Sequence, residues 1–171
     1  MTSAARIAMV LALGALSVPA GAQTLLGVTQ DWSAYQATTP DGKVCYVLSK
    51  PTAILPAKAS RDPIYFVVSV WPGRNAQGEL EVFSGYTYKA GVPVFAQVGT
   101  VRAEFFTRND GKVGTAWVKD AADEGALVAA MRGGAKLVVT GVSKRGTKTT
   151  DTYSLSGFSA AMDSARAACS K

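Results

Sequence analysis

Short runs of apolar and β-branched residues alternate with turn residues along most of the chain. Between residue 23 and about residue 156 these runs are rich in Val, Tyr, Phe and Thr, and their spacing is typical of antiparallel strands. The predicted strands are residues 32–37, 44–49, 64–71, 80–86, 92–98, 102–107, 113–118, 136–142 and 149–155. The pattern therefore predicts a mainly β fold, either a sandwich or a barrel.

The segments between these strands differ in composition. Gly42 and Gly111 each follow an aspartate, as in tight hairpin turns that require a positive φ. Residues 73–78 are polar and predict a longer loop, whereas residues 51–63 contain three prolines and predict an irregular excursion. Because the strand pattern continues beyond residue 63, we expect one domain and no linker at that point.

Two helices interrupt the strand pattern. The first is predicted over residues 121–132, with Asp120 as its N-cap and Gly133 at its end. The second is predicted over residues 159–168. The residues that share its apolar side are Phe158, Met162, Ala165 and Cys169. Their spacing places Cys169 on the buried stripe of the helix.

The N-terminal residues have the order of a secretory signal. Arg6 precedes an apolar run at residues 7–18, and Pro19 and three small residues follow it. This order predicts a cleavable signal peptide, residues 1–22, and a single domain of residues 23–171 in the periplasm or outside the cell. The run is shorter than the roughly twenty residues that span a bilayer. The alternative, a buried core helix, would need a polar face that the run lacks.

The chain contains two cysteines, Cys45 and Cys169. Export would carry both into an oxidising compartment, so we predict an intramolecular disulfide between an early strand and the C-terminal helix. Closing such a long loop would stabilise the fold by roughly 4–5 kcal/mol, mainly by restricting the unfolded chain. Two free buried thiols are the alternative.

The composition limits the chemistry that the chain can perform. It has no histidine, which removes the commonest general base and the commonest zinc ligand. Glu79 and Glu81 share one face of a predicted strand and would suit an acid–base pair, but a solvated strand edge is the favoured interpretation. We therefore predict no enzymatic activity, no catalytic residue, no metal and no cofactor.

Basic residues are concentrated at one predicted hairpin tip. Lys144, Arg145 and Lys148 lie between two strands, in a chain with a formal net charge of +6. They are the candidate binding residues for an anionic partner, with Arg132 and Lys136 as additional contacts. For these residues taken alone, the favoured interpretation is a charged loop that only keeps the end of a sheet soluble.

The three tryptophans, Trp32, Trp71 and Trp117, lie within or at the start of predicted strands. Most aromatic residues of the chain occupy alternate strand positions, so packing in the core is favoured over a platform for binding sugars. We expect the tryptophans to serve the fold.

The chain carries an ordered set of short motifs. Those in the first half are Trp32, Cys45-Tyr46, Ser49-Lys50-Pro51, Arg61-Asp62-Pro63 and Gly85-Tyr86. Those in the second half are Ala116-Trp117-Val118, residues 127–133, residues 139–143, Arg145-Gly146-Thr147, residues 151–155, Gly157-Phe158 and the closing Ala-rich helix with Cys169. Together they resemble the invasion-associated locus B family over nearly all of residues 23–171.

The resemblance implies an antiparallel immunoglobulin-like β-sandwich with one inserted helix and a C-terminal helix. It also implies a periplasmic or surface-associated bacterial protein, and it supplies no catalytic residues. Some relatives carry a cysteine four residues after the first tryptophan, where this chain has Gln36. Only the pairing of Cys45 with Cys169 is then available.

These observations predict a non-enzymatic interaction module of the bacterial envelope. We expect its partner to be a protein or an anionic envelope component, and we expect neither nucleic acid nor a membrane span. The alternative is a periplasmic carrier of a small ligand, or an inhibitor of an exported enzyme. Such a protein would use a concave apolar pocket or the loop at residues 51–63. The sequence leaves the oligomeric state open.

Overall fold

A computed structural model describes residues 23–74 and 76–170, in which eleven β-strands form one sheet. The strands are β1 Thr24–Thr29, β2 Trp32–Thr39, β3 Gly42–Ser49, β4 Ala53–Leu55, β5 Tyr65–Trp71, β6 Ala76–Phe83, β7 Val94–Val98, β8 Val101–Asp110, β9 Val113–Val118, β10 Lys136–Val142 and β11 Lys148–Ser154. The helices are α1 Ala121–Gly133 and α2 Phe158–Cys169, and Pro72–Arg74 forms a 3-10 turn. The predicted signal peptide, residues 1–22, lies outside the described residues.

The strands pair antiparallel in the order β1-β2-β3-β5-β6-β9-β8-β7-β10-β11-β4, and the two halves of this sheet face each other. Phe66 on β5 packs edge-on against Phe105 on β8 and Tyr153 on β11, with ring centroids 6.4 and 5.7 Å apart. The indole nitrogen of Trp32 on β2 donates to the carbonyl of Ser154 on β11 at 2.9 Å. The predicted antiparallel β-sandwich with two helices is confirmed.

Buried and exposed side chains alternate along the strands, and the buried ones form the core between the two halves of the sheet. On β10, for example, the side chains of Leu137 and Val139 are buried while Lys136 and Thr140 are exposed. Successive side chains of a strand point to opposite faces, so each strand contributes one row of side chains to the interior. Trp32, Phe66 and Phe105 fill the centre and are fully buried.

The two helices cover the remaining parts of the core. In α1, the side chain of Asp120 accepts a hydrogen bond from the backbone N–H of Ala122 at 2.9 Å, as predicted for an N-cap. α1 packs against β8 and β6, and α2 packs against β2 and β3. Phe158 at the start of α2 meets Trp32 edge-on, with ring centroids 4.9 Å apart. Among the described residues, no helix is both long enough and apolar enough to cross a membrane.

A disulfide joins Cys45 on β3 to Cys169 at the end of α2, with the two Cα atoms 5.8 Å apart. Both cysteines lie in the core. Phe158, Met162 and Ala165, which share α2 with Cys169, are fully buried. The predicted pairing is therefore present, and it fixes the last turn of α2 to an interior strand.

The structure also contains two strands that the sequence pattern did not predict. β1 forms one edge of the sheet beside β2, and the three-residue strand β4 forms the other edge beside β11. β4 lies within residues 51–63, the segment predicted to be irregular. The backbone N–H of Thr52 also donates to the carbonyl of Thr152 at 2.7 Å. Residues 52–55 therefore lie against β11, whereas most of residues 56–63 are exposed.

The polar loop predicted at residues 73–78 is too long, because only a 3-10 turn at Pro72–Arg74 precedes β6, which already begins at Ala76. Gly78 is a buried strand residue beneath α1, and a Cβ atom there would lie 3.2 Å from a methyl carbon of Val128. The glycine marks a close approach between a strand and a helix, not a turn.

Candidate functional site

The hairpin between β10 and β11 presents the predicted basic residues. The last strand pair is Val142 with Lys148, and the chain turns between them through Gly146, whose φ is +87°. The N–H of Ser143 donates to the carbonyl of Thr147 at 2.9 Å, and that of Gly146 donates to the carbonyl of Ser143 at 2.7 Å. This hydrogen bonding fixes the turn and leaves Lys144, Arg145 and Lys148 exposed.

Residues 86–89 anchor this hairpin and place another cation beside it. The N–H of Lys144 donates to the carbonyl of Thr87 at 2.8 Å, and the N–H of Lys89 donates to the carbonyl of Val142 at 2.9 Å. Lys89 is therefore a fourth exposed basic residue beside the hairpin. We call Lys89, Lys144, Arg145 and Lys148 the basic end. Lys89 lies far from the hairpin in sequence, and only the packing of residues 86–89 brings it there.

Carboxylates do not neutralise the basic end. In residues 23–74 and 76–170, ion pairs join Arg61 to Asp151, Arg74 to Asp41, Lys119 to Glu104 and Arg132 to Asp163. None of the four residues of the basic end belongs to these pairs. The surface therefore keeps its positive charge.

Arg132 and Lys136 lie away from this surface, although the sequence predicted that they would contribute to it. Lys136 lies at the opposite end of β10 from the hairpin, roughly 20 Å away along the strand. Arg132 closes α1 and pairs with Asp163 of α2 at 2.9 Å. These two residues belong to the helical side of the molecule, and the expected contribution to the hairpin is wrong.

A buried ion pair lies beneath the segment that anchors the basic end. The two terminal guanidinium nitrogens of Arg61, Nη1 and Nη2, donate to the carboxylate of Asp151 at 2.6 Å, and the side chains are 4% and 1% exposed. Arg61 also donates to the carbonyl of Ser84 from two nitrogens, at 2.8 and 2.6 Å. Burial alone would lower the pKa of Arg61, but the hydrogen bonds and charge of Asp151 outweigh it and raise that pKa.

Tyrosines complete the polar layer around this ion pair. The ring of Tyr86 lies 5.0 Å from the Arg61 guanidinium, and its hydroxyl contacts the Thr149 hydroxyl at 2.6 Å. The hydroxyl of Tyr88 contacts that of Ser84, and burial raises the pKa of Tyr88. The charges in this layer satisfy each other, so its chemical role is to hold the fold. No local sequence pattern indicated it.

Glu79 and Glu81 lie on the outer face of β6, which is an interior strand and not the solvated edge that we expected. Glu81 stands between its cross-strand neighbours Val67 and Trp117. Burial, and then the charge of Glu79, raises the pKa of Glu81 to about 7. Beyond it, Trp117 stacks on Phe106 with ring centroids 5.8 Å apart.

The tryptophans divide between the core and the outer face. Trp32 is fully buried, as predicted. Trp71 and Trp117 are only partly buried, and Arg74 lies 4.5 Å above the Trp71 ring. The prediction of core packing is therefore wrong for these two residues. The reason is the alternation of side chains along a strand, because Val70 and Ala116 point into the core and the tryptophan that follows each of them points to the outer face.

Comparison with known proteins identifies the family and the fold. The family model described as Invasion associated locus B (IalB) protein matches residues 32–166 of the chain. The crystal structure of invasion associated protein b from Bartonella henselae resembles this chain with a TM-score of 0.61 and 21% sequence identity, over 85% of this chain and 98% of that chain. At this identity the structural likeness concerns the fold alone. No curated protein sequence matches the chain.

Proposed function

Since the chain belongs to the invasion-associated locus B family, we propose that it is an exported, non-enzymatic interaction protein of the bacterial envelope. The basic end makes the contact, and its partner is an anionic component of the envelope. Lys144, Arg145 and Lys148 supply most of the attraction, and Lys89 extends the surface.

The observation that carries this proposal is a set of exposed cations on a fixed backbone. Two hydrogen bonds tie the hairpin to residues 87–89, so binding needs little ordering of the main chain. The four side chains lack carboxylate partners among the described residues. Such a patch attracts anionic surfaces through a field that salt screens.

Export is supported by the residues at the N-terminus and by the disulfide. Arg6, the apolar run and the small residues before Gln23 have the order of a cleaved signal. The bond between Cys45 and Cys169 suits an oxidising compartment, where such bonds persist.

A non-enzymatic role is supported by the way the structure uses its ionisable groups. The chain has no histidine to act as a base near neutral pH. The Asp151 carboxylate is engaged by Arg61, and Glu81 is flanked on the neighbouring strands by Val67 and Trp117.

The test is cosedimentation of the purified protein with cell envelopes isolated from the producing bacterium. Changing Lys144, Arg145 and Lys148 together to Glu should lower binding at about 50 mM NaCl by at least about tenfold. Wild-type binding should also weaken between about 50 and 300 mM NaCl, whereas the residual binding of the variant should not.

The matched control carries the same change of net charge elsewhere on the surface. Lys58, Arg102 and Lys136 are exposed and lie outside the basic end, so changing them to Glu should leave most of the binding intact. Equal losses in the two triple variants would show that only net charge matters. That result would refute the basic end as the contact surface.

A further inference from the structure

A groove of about 680 Å³ lies on the outer face of β2 and β3. Ser33, Tyr35 and Leu48 form its floor, and Asp31, Lys50 and Tyr65 line its sides. The N–H of Asp31 donates to the carbonyl of Ser156, just beyond the end of β11. The basic hairpin precedes the other end of β11, roughly 20 Å away along that strand. The groove is therefore separate from the basic end.

Rigid tyrosine rings provide the apolar surfaces of the groove. Tyr35 pairs across the sheet with Tyr46, and their rings stack at a centroid distance of 5.4 Å and an angle of 20°. On the other side, the ammonium of Lys50 lies 5.9 Å from the centre of the Tyr65 ring. Stacked and cation-bound rings are held before a ligand arrives, so their use costs little conformational entropy.

The polar groups of the groove include donors and acceptors in nearly equal measure. The side-chain nitrogen of Gln23 donates to the hydroxyl of Tyr46, which leaves its amide oxygen as an acceptor. The side-chain oxygen of Gln30 accepts from the hydroxyl of Ser156, which leaves its NH2 as a donor. Asp31 and Lys50 carry opposite charges, so these two side chains together add no net charge to the groove.

This combination favours a sugar over a peptide. The backbone groups of Ser33 and Tyr35 are engaged in the ladder with β3, so the groove floor offers a peptide no free strand edge. Sugar hydroxyls both donate and accept, and the C–H face of a pyranose packs on an aromatic ring. An acetamido group would pair with side-chain amides such as those of Gln23 and Gln30.

We infer that this groove binds a short, uncharged oligosaccharide that carries N-acetyl groups. Tyr35 supplies the stacking surface, Gln23 and Gln30 bind the acetamido groups, and Asp31 accepts from ring hydroxyls. The inference adds a second surface to the molecule and does not depend on the proposed role of the basic end.

Isothermal titration of the purified protein with chitotetraose tests the inference. Wild-type protein should bind, Tyr35→Ala should weaken binding about fivefold or more, and Tyr35→Phe should retain it because the ring remains. Phe106→Ala, which removes a half-exposed ring outside the groove, should bind like wild type. A thermal unfolding curve for each variant separates loss of the ring from loss of the fold.

Absence of heat with chitotetraose at millimolar concentration would overturn the inference, as would equal binding by wild type and a correctly folded Tyr35→Ala. Tighter binding of an uncharged extended peptide at the same residues would also overturn it. The triple Glu variant of Lys144, Arg145 and Lys148 should bind chitotetraose normally. Chitotetraose binding in that variant therefore separates failure of this inference from failure of the proposed function.

Discussion

α2 and the segment at residues 56–64 both cover the sandwich, but they are held in different ways. α2 buries an apolar stripe and is joined to β3 by the disulfide between Cys45 and Cys169. Residues 56–64 are mostly exposed, and the side chain of Arg61 reaches from them to the buried Asp151. One region is held by many apolar contacts and a covalent bond. The other is held mainly by polar contacts, namely the ion pair of Arg61 with Asp151, the hydrogen bonds of Arg61 to the Ser84 carbonyl, and the bond from the N–H of Asp62 to the carbonyl of Gly85.

The difference predicts how the stability of each region responds to a substitution. In an apolar stripe each side chain contributes according to the area that it buries, so a single truncation removes one contribution and leaves the others in place. A buried ion pair behaves otherwise, because removing one partner leaves the other charge uncompensated in the interior. The attachment of residues 56–64 therefore depends on both partners being present.

The largest expected effect comes from breaking the covalent attachment of α2. Replacing Cys45 and Cys169 together by Ser should lower the free energy of unfolding by roughly 4–5 kcal/mol, because the bond closes a sequence separation of 124 residues. Guanidinium denaturation followed by circular dichroism measures this loss. Helix content should persist in the folded variant, since Phe158, Met162 and Ala165 remain buried.

Two controls accompany the cysteine variant. Wild-type protein under a reducing agent should unfold at the same denaturant concentration as the variant, and Ser170→Ala, at an exposed neighbouring residue, should change little. A loss below about 1 kcal/mol would contradict the stabilising role assigned to the bond.

Breaking the ion pair should have the next largest effect. Arg61→Met leaves the Asp151 carboxylate and the Ser84 carbonyl buried without their donor, so we expect a loss of roughly 3–5 kcal/mol. Denaturation curves measure it. Changing Arg61 to Met and Asp151 to Val together should recover part of the loss, because no buried charge remains.

The exposed pair of Arg74 with Asp41 supplies the comparison for that experiment. Their side chains are 46% and 67% exposed, so Arg74→Met should cost less than about 1 kcal/mol. If Arg61→Met were equally mild, the ion pair would not be what holds residues 56–64. A double variant no more stable than Arg61→Met would point to lost packing instead of an uncompensated charge.

Most of the strands and α2 could be predicted because they carry a local period, whereas α1 could be predicted from its N-cap Asp120 and the glycine at its end. The first helix was predicted over residues 121–132, and in the structure it ends one residue later, at Gly133. β1 and β4 escaped prediction because each is an edge strand with little buried surface, so alternation is weak. Gly78 misled the prediction of a loop, since a glycine in a strand beneath a helix resembles a turn residue in sequence.

The candidate surfaces differ in how far the sequence revealed them. Lys144, Arg145 and Lys148 are close in sequence and occupy one hairpin, so their clustering was visible. Arg61 and Asp151 are separated by 90 residues, and no local pattern predicts that they meet. The groove residues are likewise contributed by β2, β3 and β5, which only the sheet register places together.

Glu81 offers a third kind of charge, partly buried and outside every ion pair of the described residues. Its folded pKa of about 7 exceeds the ordinary value of 4.5, so the folded protein binds a proton more tightly than the unfolded chain. The contribution of Glu81 to the free energy of unfolding should therefore be greatest below about pH 4.5 and should be lost as the pH rises through about 7.

Glu81→Gln should remove that fall, with an effect on the order of 1 kcal/mol because solvent reaches the outer face of β6. Denaturation midpoints at several pH values from about 4.5 to about 8 measure it. Glu104→Gln, which removes a carboxylate from the exposed pair with Lys119, is the matched control. An identical pH slope in Glu81→Gln and wild type would mean that the outer face keeps Glu81 as well solvated as an ordinary surface carboxylate.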